Sequence, residues 1–425
     1  MKTNNCGELN AKNAGHEVVL AGWVDTLRVS GKISFLLLRD RTGLVQVFLD
    51  KGLTEKFKDL KRESVVQIKG LVNKRPENQI KKEMKTGEVE VAAKELEIIA
   101  EAETLPIELD DTTSLDKRLD YRFLDLHKPK IQAIFKVQSN IMAGFREFMI
   151  KEHAIEAAFP SIIGASSEGG TDMFTVKYFE KTAYLSQSCQ LYKQMLACSM
   201  EKVFAVFTCW RAEKHNTLRH LNECRQMDFE MAFANDFDVM DVMGRCVQYI
   251  IQKLNAENKE DLELLNVKLN VPSMKYMTFA EVAKLMKKEN IEMGEDDLSG
   301  EAEKKLGELY PDTIVFVHDW PLSGKPFYIM PKGDGLSCGF DAIYKGMEIT
   351  SGGQRIHIPK LLIERLKAKG LKPEDFKSYI DSFRFGSPSH SGWGMGVERL
   401  TMLLLGIENI REVVLFPRDR DRLTP

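Results

Sequence analysis

Cys209-Trp-Arg-Ala-Glu-Lys-His-Asn-Thr-Leu-Arg-His-Leu-Asn-Glu-Cys-Arg-Gln-Met-Asp-Phe-Glu230 reads as strand, polar loop, strand. Apolar residues from Val203 to Phe207 run into it, and Asp228-Phe-Glu-Met-Ala-Phe233 runs out. Side chains along a strand repeat every second residue, so Asp228 and Glu230 share a face. The loop carries Arg211, Lys214, His215, Arg219 and His220, a set that can meet an anion. An arginine at a strand end can hold a phosphate with both arms of its guanidinium. Taken alone, the loop also reads as a solvated hairpin tip, the commoner outcome for such a stretch, and the rest of the chain has to decide.

Toward the C-terminus, residues 313–318, 327–330, 338–344 and 347–351 read as strands joined by short turns, hence mainly antiparallel. Pairing of the last two about Lys345-Gly346 would bring Asp341 and Glu348 together. Two carboxylates beside a nucleotide fit Mg²⁺ with phosphates, and equally an exposed cross-strand pair with Lys345. Ser351-Gly-Gly-Gln-Arg355 sets an arginine beyond a glycine pair. Gly392-x-Gly-x-Gly-x-x-Arg399 looks like a nucleotide loop but lies outside any βαβ unit, and no P-loop motif exists. What remains is a glycine-rich run into a helix, with an arginine that can reach a phosphate or stack on a base.

Toward the N-terminus, residues 190–200 and 131–149 have helical spacing, and Ser166-Ser-Glu-Gly-Gly-Thr171 suits a loop that closes over something. Residues 238–254, 279–289, 299–309, 360–369, 373–383 and 400–405 also read as helices. Residues 1 to about 104 hold five short strands with one helical interruption at 53–61, the pattern of a small Greek-key barrel. Such a barrel either binds an oligonucleotide on one face, with Arg28, Lys32, Phe35, Arg39 and Gln46 as exposed candidates, or is purely structural. Residues 105–130 read as a hinge, 131–425 as a second domain, and about 236–312 as its peripheral helical part.

The net charge of −3 over 425 residues excludes a globally basic nucleic-acid binder, so any such partner needs a local patch. The 7 cysteines show no CxxC spacing, which argues against zinc and against a disulfide framework and fits a reducing, cytoplasmic compartment. No membrane-spanning run or apolar leader is expected.

Three signals coincide: an apolar helix leading to Pro160, the Arg211-x-Glu213 strand-loop-strand, and the glycine run ending in Glu398-Arg399. Together they resemble the three motifs of class II aminoacyl-tRNA synthetases. The finer pattern is similar to the aspartyl-tRNA synthetase family, on Ser167-Glu-Gly-Gly-Thr171, Gln190-Leu-Tyr-Lys-Gln194, Arg219-His-Leu-Asn-Glu223, Ser351-Gly-Gly-Gln-Arg355 and Phe416-Pro-Arg-Asp-Arg420. The large bacterial insertion and the basic eukaryotic extension are missing, so the chain resembles the compact archaeal type.

The resemblance implies an α+β chain: a five-stranded oligonucleotide-binding β-barrel that reads the anticodon, then a catalytic domain of antiparallel sheet flanked by helices. It implies a cytoplasmic homodimer, with Pro160 at the interface, acting on ATP, L-aspartate and tRNA(Asp), with tRNA(Asn) as an open second acceptor. Arg211, Glu213 and Arg399 would be catalytic. Arg211, Glu213, Arg219, His220, Leu221, Glu348, Gly396 and Arg399 would bind ATP, and Asp341, Glu348 and Ser351 would hold Mg²⁺. Glu168, Gln190, Lys193, Arg211, Asp228, Ser351 and Arg355 would bind aspartate. Within that set Gln190 and Asp228 would face the amino group, and Lys193 and Arg355 would be cations left bare by any substrate lacking a side-chain carboxylate. Phe35, Gln46 and Glu90 would contact the anticodon. Cys224 stands where many members carry an aromatic residue against adenine. The rival readings are an asparaginyl-tRNA synthetase and a non-catalytic synthetase-like tRNA-binding protein.

Overall fold

The computed structural model describes residues 1–110, 112–164, 173–214 and 217–425. They form two compact units, Met1–Glu108 and Leu109–Pro425.

In the first unit β1 (Glu17–Ser30), β2 (Ile33–Asp40), β3 (Gly43–Leu49), β4 (Val65–Lys74) and β5 (Val89–Ala100) close into a barrel in the order β1-β2-β3-β5-β4. Alternate residues such as Leu36, Leu38, Val45, Val47, Val66, Ile68 and Val91 fill its interior, as expected where a small barrel leaves no lumen. The helical interruption is Lys51–Phe57, started by Asp50, whose side chain accepts from the Leu53 N–H. Arg39 shares the outer face of β2 with Phe35 but is not open to solvent: it is buried against two carboxylates, with Nη1 3.1 Å from Asp25 and Nη2 2.6 Å from Glu63.

The described strands of the second unit are β6 (Ile155–Glu156), β7 (Ile162–Ile163), β8 (Thr175–Tyr178), β9 (Lys181–Leu185), β10 (Lys202–Trp210), β11 (Glu223–Ala232), β12 (Ser273–Thr278), β13 (Thr313–His318), β14 (Pro331–Gly333), β15 (Leu336–Ser337), β16 (Gly339–Tyr344), β17 (Met347–Gln354) and β18 (His390–Gly396). One sheet runs β12-β13-β16-β17-β18-β11-β10-β6, antiparallel through its centre and parallel at both edges. On β13, Ile314 and Phe316 enter one core while Val315 and Val317 enter another, so both faces are covered there.

The back face packs on two long helices, Pro129–Lys151 and Asp236–Glu257. The second of these is not peripheral: Val239, Met243, Val247, Ile250 and Leu254 lie inside the main core. Its Asn235–Asp238 capping box fixes its start earlier than apolar spacing alone indicated. The helices Phe279–Lys288 and Gly300–Leu309 cover the front of β12, β13 and β16 through Val282, Met286 and Leu306. Residues 112–130 are built into this unit and are not a free hinge. Fully buried Arg122 donates to Asp125 at 2.7 Å and to the carbonyls of Glu412 at 2.8 Å and Val414 at 3.0 Å. Residues 327–330 are not a strand. Phe327, Tyr328 and Ile329 are apolar because they join Phe376, Tyr379 and Phe383 in a separate core, and Ile329 makes one isolated bridge to Arg355.

Candidate active site

The front of the central sheet is organised by register. Asp341, Ser351, Gly394 and Asp228 are successive partners across β16, β17, β18 and β11, and Gly353, Gly392 and Glu230 form the next row. The glycine run is therefore a strand, not a loop. Its glycines fall opposite the carboxylates of β11 for a steric reason: a Cβ on Gly392 would lie 2.1 Å from Glu230 Oε2, and one on Gly394 2.8 Å from Asp228 Oδ1.

A bulge decides where Glu348 points. Ala342 pairs with Thr350 but Ile343 pairs with Glu348, so Ile349 is an extra residue in β17. In a regular strand Glu348, three positions before Ser351, would face the opposite way. The bulge re-aims it to the front, while Ile349 drops into the back core.

Beside these rows lies a cavity of about 300 Å³ whose walls include Arg211, Arg219, His220, Leu221, Glu348, Ser351, Gly396 and Arg399. Except for Glu213, every residue expected at ATP is thus on one cavity wall. Glu213 is linked to it through Arg211, with Nη1 3.7 Å from Oε1. The loop base is pinned by Asn222, whose side chain donates to the carbonyls of Arg211 at 2.6 Å and Glu213 at 3.0 Å. Arg399 donates to the Glu348 carbonyl at 3.2 Å. Cys224, at the position expected against adenine, and Gly394 and Glu398 of the glycine run also line the cavity, as do Gln226, Ile349 and Ile410, which no motif marked.

Burial, and then the negative charge of Asp341, push the Glu348 carboxyl up to about 7. Asp341 itself accepts from Lys325 at 2.6 Å. No preformed cage of three or more metal-ligating side chains occurs among the described residues. Two carboxylates and a hydroxyl on one sheet face are nonetheless hard oxygen donors, and a carboxyl with a raised affinity for protons is short of positive charge. That set fits a divalent cation shared with phosphates, which needs few protein ligands.

The amino-acid side of the site is drier. From the helix Gln190–Met200, the Lys193 Nζ donates to Asp228 Oδ2 at 2.7 Å and to the Trp393 carbonyl at 3.0 Å, and lies 3.5 Å from Glu230. Arg355 grips Glu230 with both arms, Nε at 2.9 Å and Nη2 at 3.2 Å. Burial opposes charge on Glu230, but Arg355 and Lys193 outweigh it and hold its carboxyl below the usual range. The expectation of two bare cations is thereby corrected, because each already has a protein carboxylate. Sequence reading saw Glu230 only as the second carboxylate of its strand. Asp228 Oδ1 and Gln190 Nε2 are among the buried polar atoms left without a hydrogen bond. Glu168 and His215 lie outside the described residues.

In the barrel, Phe35, Gln46 and Glu90 line a second cavity of about 570 Å³ together with Arg28, Phe48 and Arg75. Phe35 and Phe48 have ring centroids 5.8 Å apart. Gln46 donates to Glu90 at 3.1 Å and accepts from Lys81 at 2.8 Å. Arg75 is buried and none of its three guanidinium nitrogens has a hydrogen-bond partner. No sequence motif marks Arg75 or Lys81, since both reach the cavity only because the 74–87 loop folds back on the barrel.

The sequence profile of the class II tRNA synthetases (D, K and N) matches residues 114–420, and that of the OB-fold nucleic acid binding domain matches residues 18–99. The chain belongs to the class II tRNA synthetases. The synthetase is 43% identical over 426 residues to the aspartate–tRNA(Asp/Asn) ligase of Archaeoglobus fulgidus, covering 97% of each chain. It is 40% identical over 422 residues to the aspartate–tRNA(Asp) ligase of Thermoplasma acidophilum, again covering 97% of each. The crystal structure of asparaginyl-tRNA synthetase from Pyrococcus horikoshii, complexed with asparaginyl-adenylate, superposes with a TM-score of 0.92 at 34% identity over 99% of both chains. No helix among the described residues is long and apolar enough to cross a membrane.

Proposed function

We propose that this synthetase is an aspartate–tRNA ligase, activating L-aspartate with ATP and passing it to the 3′ end of tRNA(Asp). The observation that carries the choice of amino acid is the buried set Lys193, Asp228, Glu230 and Arg355, with Asp228 Oδ1 and Gln190 Nε2 unsatisfied beside two cations. Asp228 Oδ1 can accept from the substrate ammonium, and Arg355, already held by Glu230 through Nε and Nη2, would share its remaining N–H groups with the side-chain carboxylate. One row away begins the cavity with Arg211, Arg399 and Glu348. The two reactants therefore meet on one rigid sheet face.

In this reading the aspartate α-carboxylate attacks the α-phosphorus of ATP in line and pyrophosphate leaves. Arg211 bears on the α-phosphate and Arg399 on the γ-phosphate, stabilising charge as it spreads over the phosphoryl oxygens. Asp341, Glu348 and Ser351 would hold Mg²⁺, which supplies further charge neutralisation when bound with ATP. The ribose hydroxyl at the tRNA 3′ end then takes the aspartyl group, and no covalent enzyme intermediate is needed. Phe35, Gln46 and Glu90 receive the anticodon in the barrel. A homodimer and a cytoplasmic setting belong to the same reading.

The deciding measurement is pyrophosphate exchange with aspartate and with asparagine. Aspartate is expected to be the strongly preferred substrate, and equal rates would assign the chain to the asparaginyl rival. Charging purified tRNA(Asp) and tRNA(Asn) with aspartate separately then places it among the one-acceptor or two-acceptor ligases.

Arg75 offers a second test. Its guanidinium gains no hydrogen bond from the protein and its ion pair to Glu90 is long, at 3.9 Å, so Arg75→Met should change barrel stability little. It should raise the KM for tRNA and leave pyrophosphate exchange untouched. A melting temperature that falls with no change in KM would make Arg75 structural.

A further inference from the structure

Cys209 and Cys224 are direct cross-strand partners on β10 and β11, and their Sγ atoms are 3.0 Å apart. At the neighbouring pair the Arg211 N–H donates to the Asn222 carbonyl at 2.9 Å, and hydrogen-bonded pairs recur at every second position of an antiparallel ladder. Cys209 and Cys224 therefore occupy such a pair, with Cα atoms about 5.5 Å apart, inside the span a disulfide tolerates. Closure needs each sulfur to move only slightly, from 3.0 Å to the bond length of about 2.05 Å. The two thiols differ in surroundings. Cys209 is fully buried, while Cys224 lines the cavity shared by Arg211, Glu348 and Arg399.

We propose that Cys209 and Cys224 form a reversible disulfide that lowers the affinity of the site for ATP, an inference that rests on the ATP reading of that cavity. The oxidant is a hydroperoxide. Cys224, as thiolate, attacks the peroxide oxygen, forming a sulfenic acid and releasing hydroxide. The Cys209 sulfur then attacks the Cys224 sulfur, and water leaves. In sum two thiols lose two hydrogens and two electrons, and hydrogen peroxide becomes two waters. The roles follow from position: Cys224 lines the cavity that a peroxide can enter, where Arg211 and Arg399 favour its thiolate, while Cys209 lies fully buried behind it. The bond would draw Cys224 out of the cavity wall and fix the base of the loop that presents Arg211.

The test uses the full chain, treated with hydrogen peroxide, capped with N-ethylmaleimide and digested with trypsin. Cleavage at Arg211, Lys214 and Arg219 puts the two cysteines on separate peptides. The expected product is those two peptides joined, lighter by two hydrogens than their sum. The KM for ATP in pyrophosphate exchange should rise about tenfold, the scale of one charge-assisted contact. Dithiothreitol should reverse both changes. Cys209→Ser, and independently Cys209→Ala, should keep basal activity and show no rise. Capped or singly oxidised cysteines after peroxide would overturn the proposal. So would a joined pair with an unchanged KM, or an equal rise in both Cys209 variants. Failure of the ATP reading is visible separately, as an Arg211→Ala enzyme whose exchange kinetics match wild type.

Discussion

Replacing Arg211 with alanine is expected to slow ATP–pyrophosphate exchange by about 10²–10³, the loss seen when one preorganised donor to a developing oxyanion is removed. Arg211 lies on the cavity wall at the end of β10, where the Asn222 contacts fix the backbone that presents it. Its ion pair to Glu213, at 3.7 Å, is partly exposed, with 39% of the arginine side chain accessible. Exposed pairs of this kind contribute little to stability. The variant should therefore melt at the wild-type temperature, and the exchange assay should show a loss in the maximal rate. An exchange rate near wild type would remove Arg211 from the reacting phosphate.

Arg355→Leu is expected to act on stability and specificity together. Both arms of Arg355 are committed to Glu230, which is fully buried and has Lys193 as its other cation at 3.5 Å. Removing one partner of a buried ion pair costs about 3–5 kcal/mol, because the other charge stays behind uncompensated. At roughly 2–4 °C per kcal/mol for a unit of this size, melting should fall by on the order of ten degrees. Adenylate formation with aspartate and with asparagine should show most of the aspartate preference gone. Arg355→Lys keeps the charge but loses the fork, and should melt between wild type and the leucine variant. An unchanged melting temperature in Arg355→Leu would show that the Glu230 pair is not the buried contact described here.

Much of this site was legible in the chain because it is built on strands. A period of two put Asp228 and Glu230 on one face, and the register of β10, β11, β17 and β18 carried that face across the sheet. The barrel was legible for the same reason. What could not be read depends on contacts distant in sequence. The extra residue at Ile349 looks like any apolar strand position, yet it sets the direction of Glu348. Arg39 on β2 resembles an exposed cation until Asp25 and Glu63 are brought to it. The pairing of Lys193 and Arg355 with Asp228 and Glu230 joins a helix, β11 and the end of β17, and the resemblance named Lys193, Asp228 and Arg355 without showing that Glu230 completes the charge balance. Phe327 to Ile329 reads as a strand because burial between helices and burial in a sheet select the same residue types.

The alternate glycines of β18 restrict how this enzyme can be redesigned. Any side chain at Gly392 would strike Glu230, and one at Gly394 would strike Asp228, so neither position offers a route to a new substrate. A library aimed at another amino acid should leave β18 untouched and vary residues facing it from other elements, Gln190 among them. Variants recovered from random mutagenesis with altered substrate choice should carry changes around this strand and none at its two glycines.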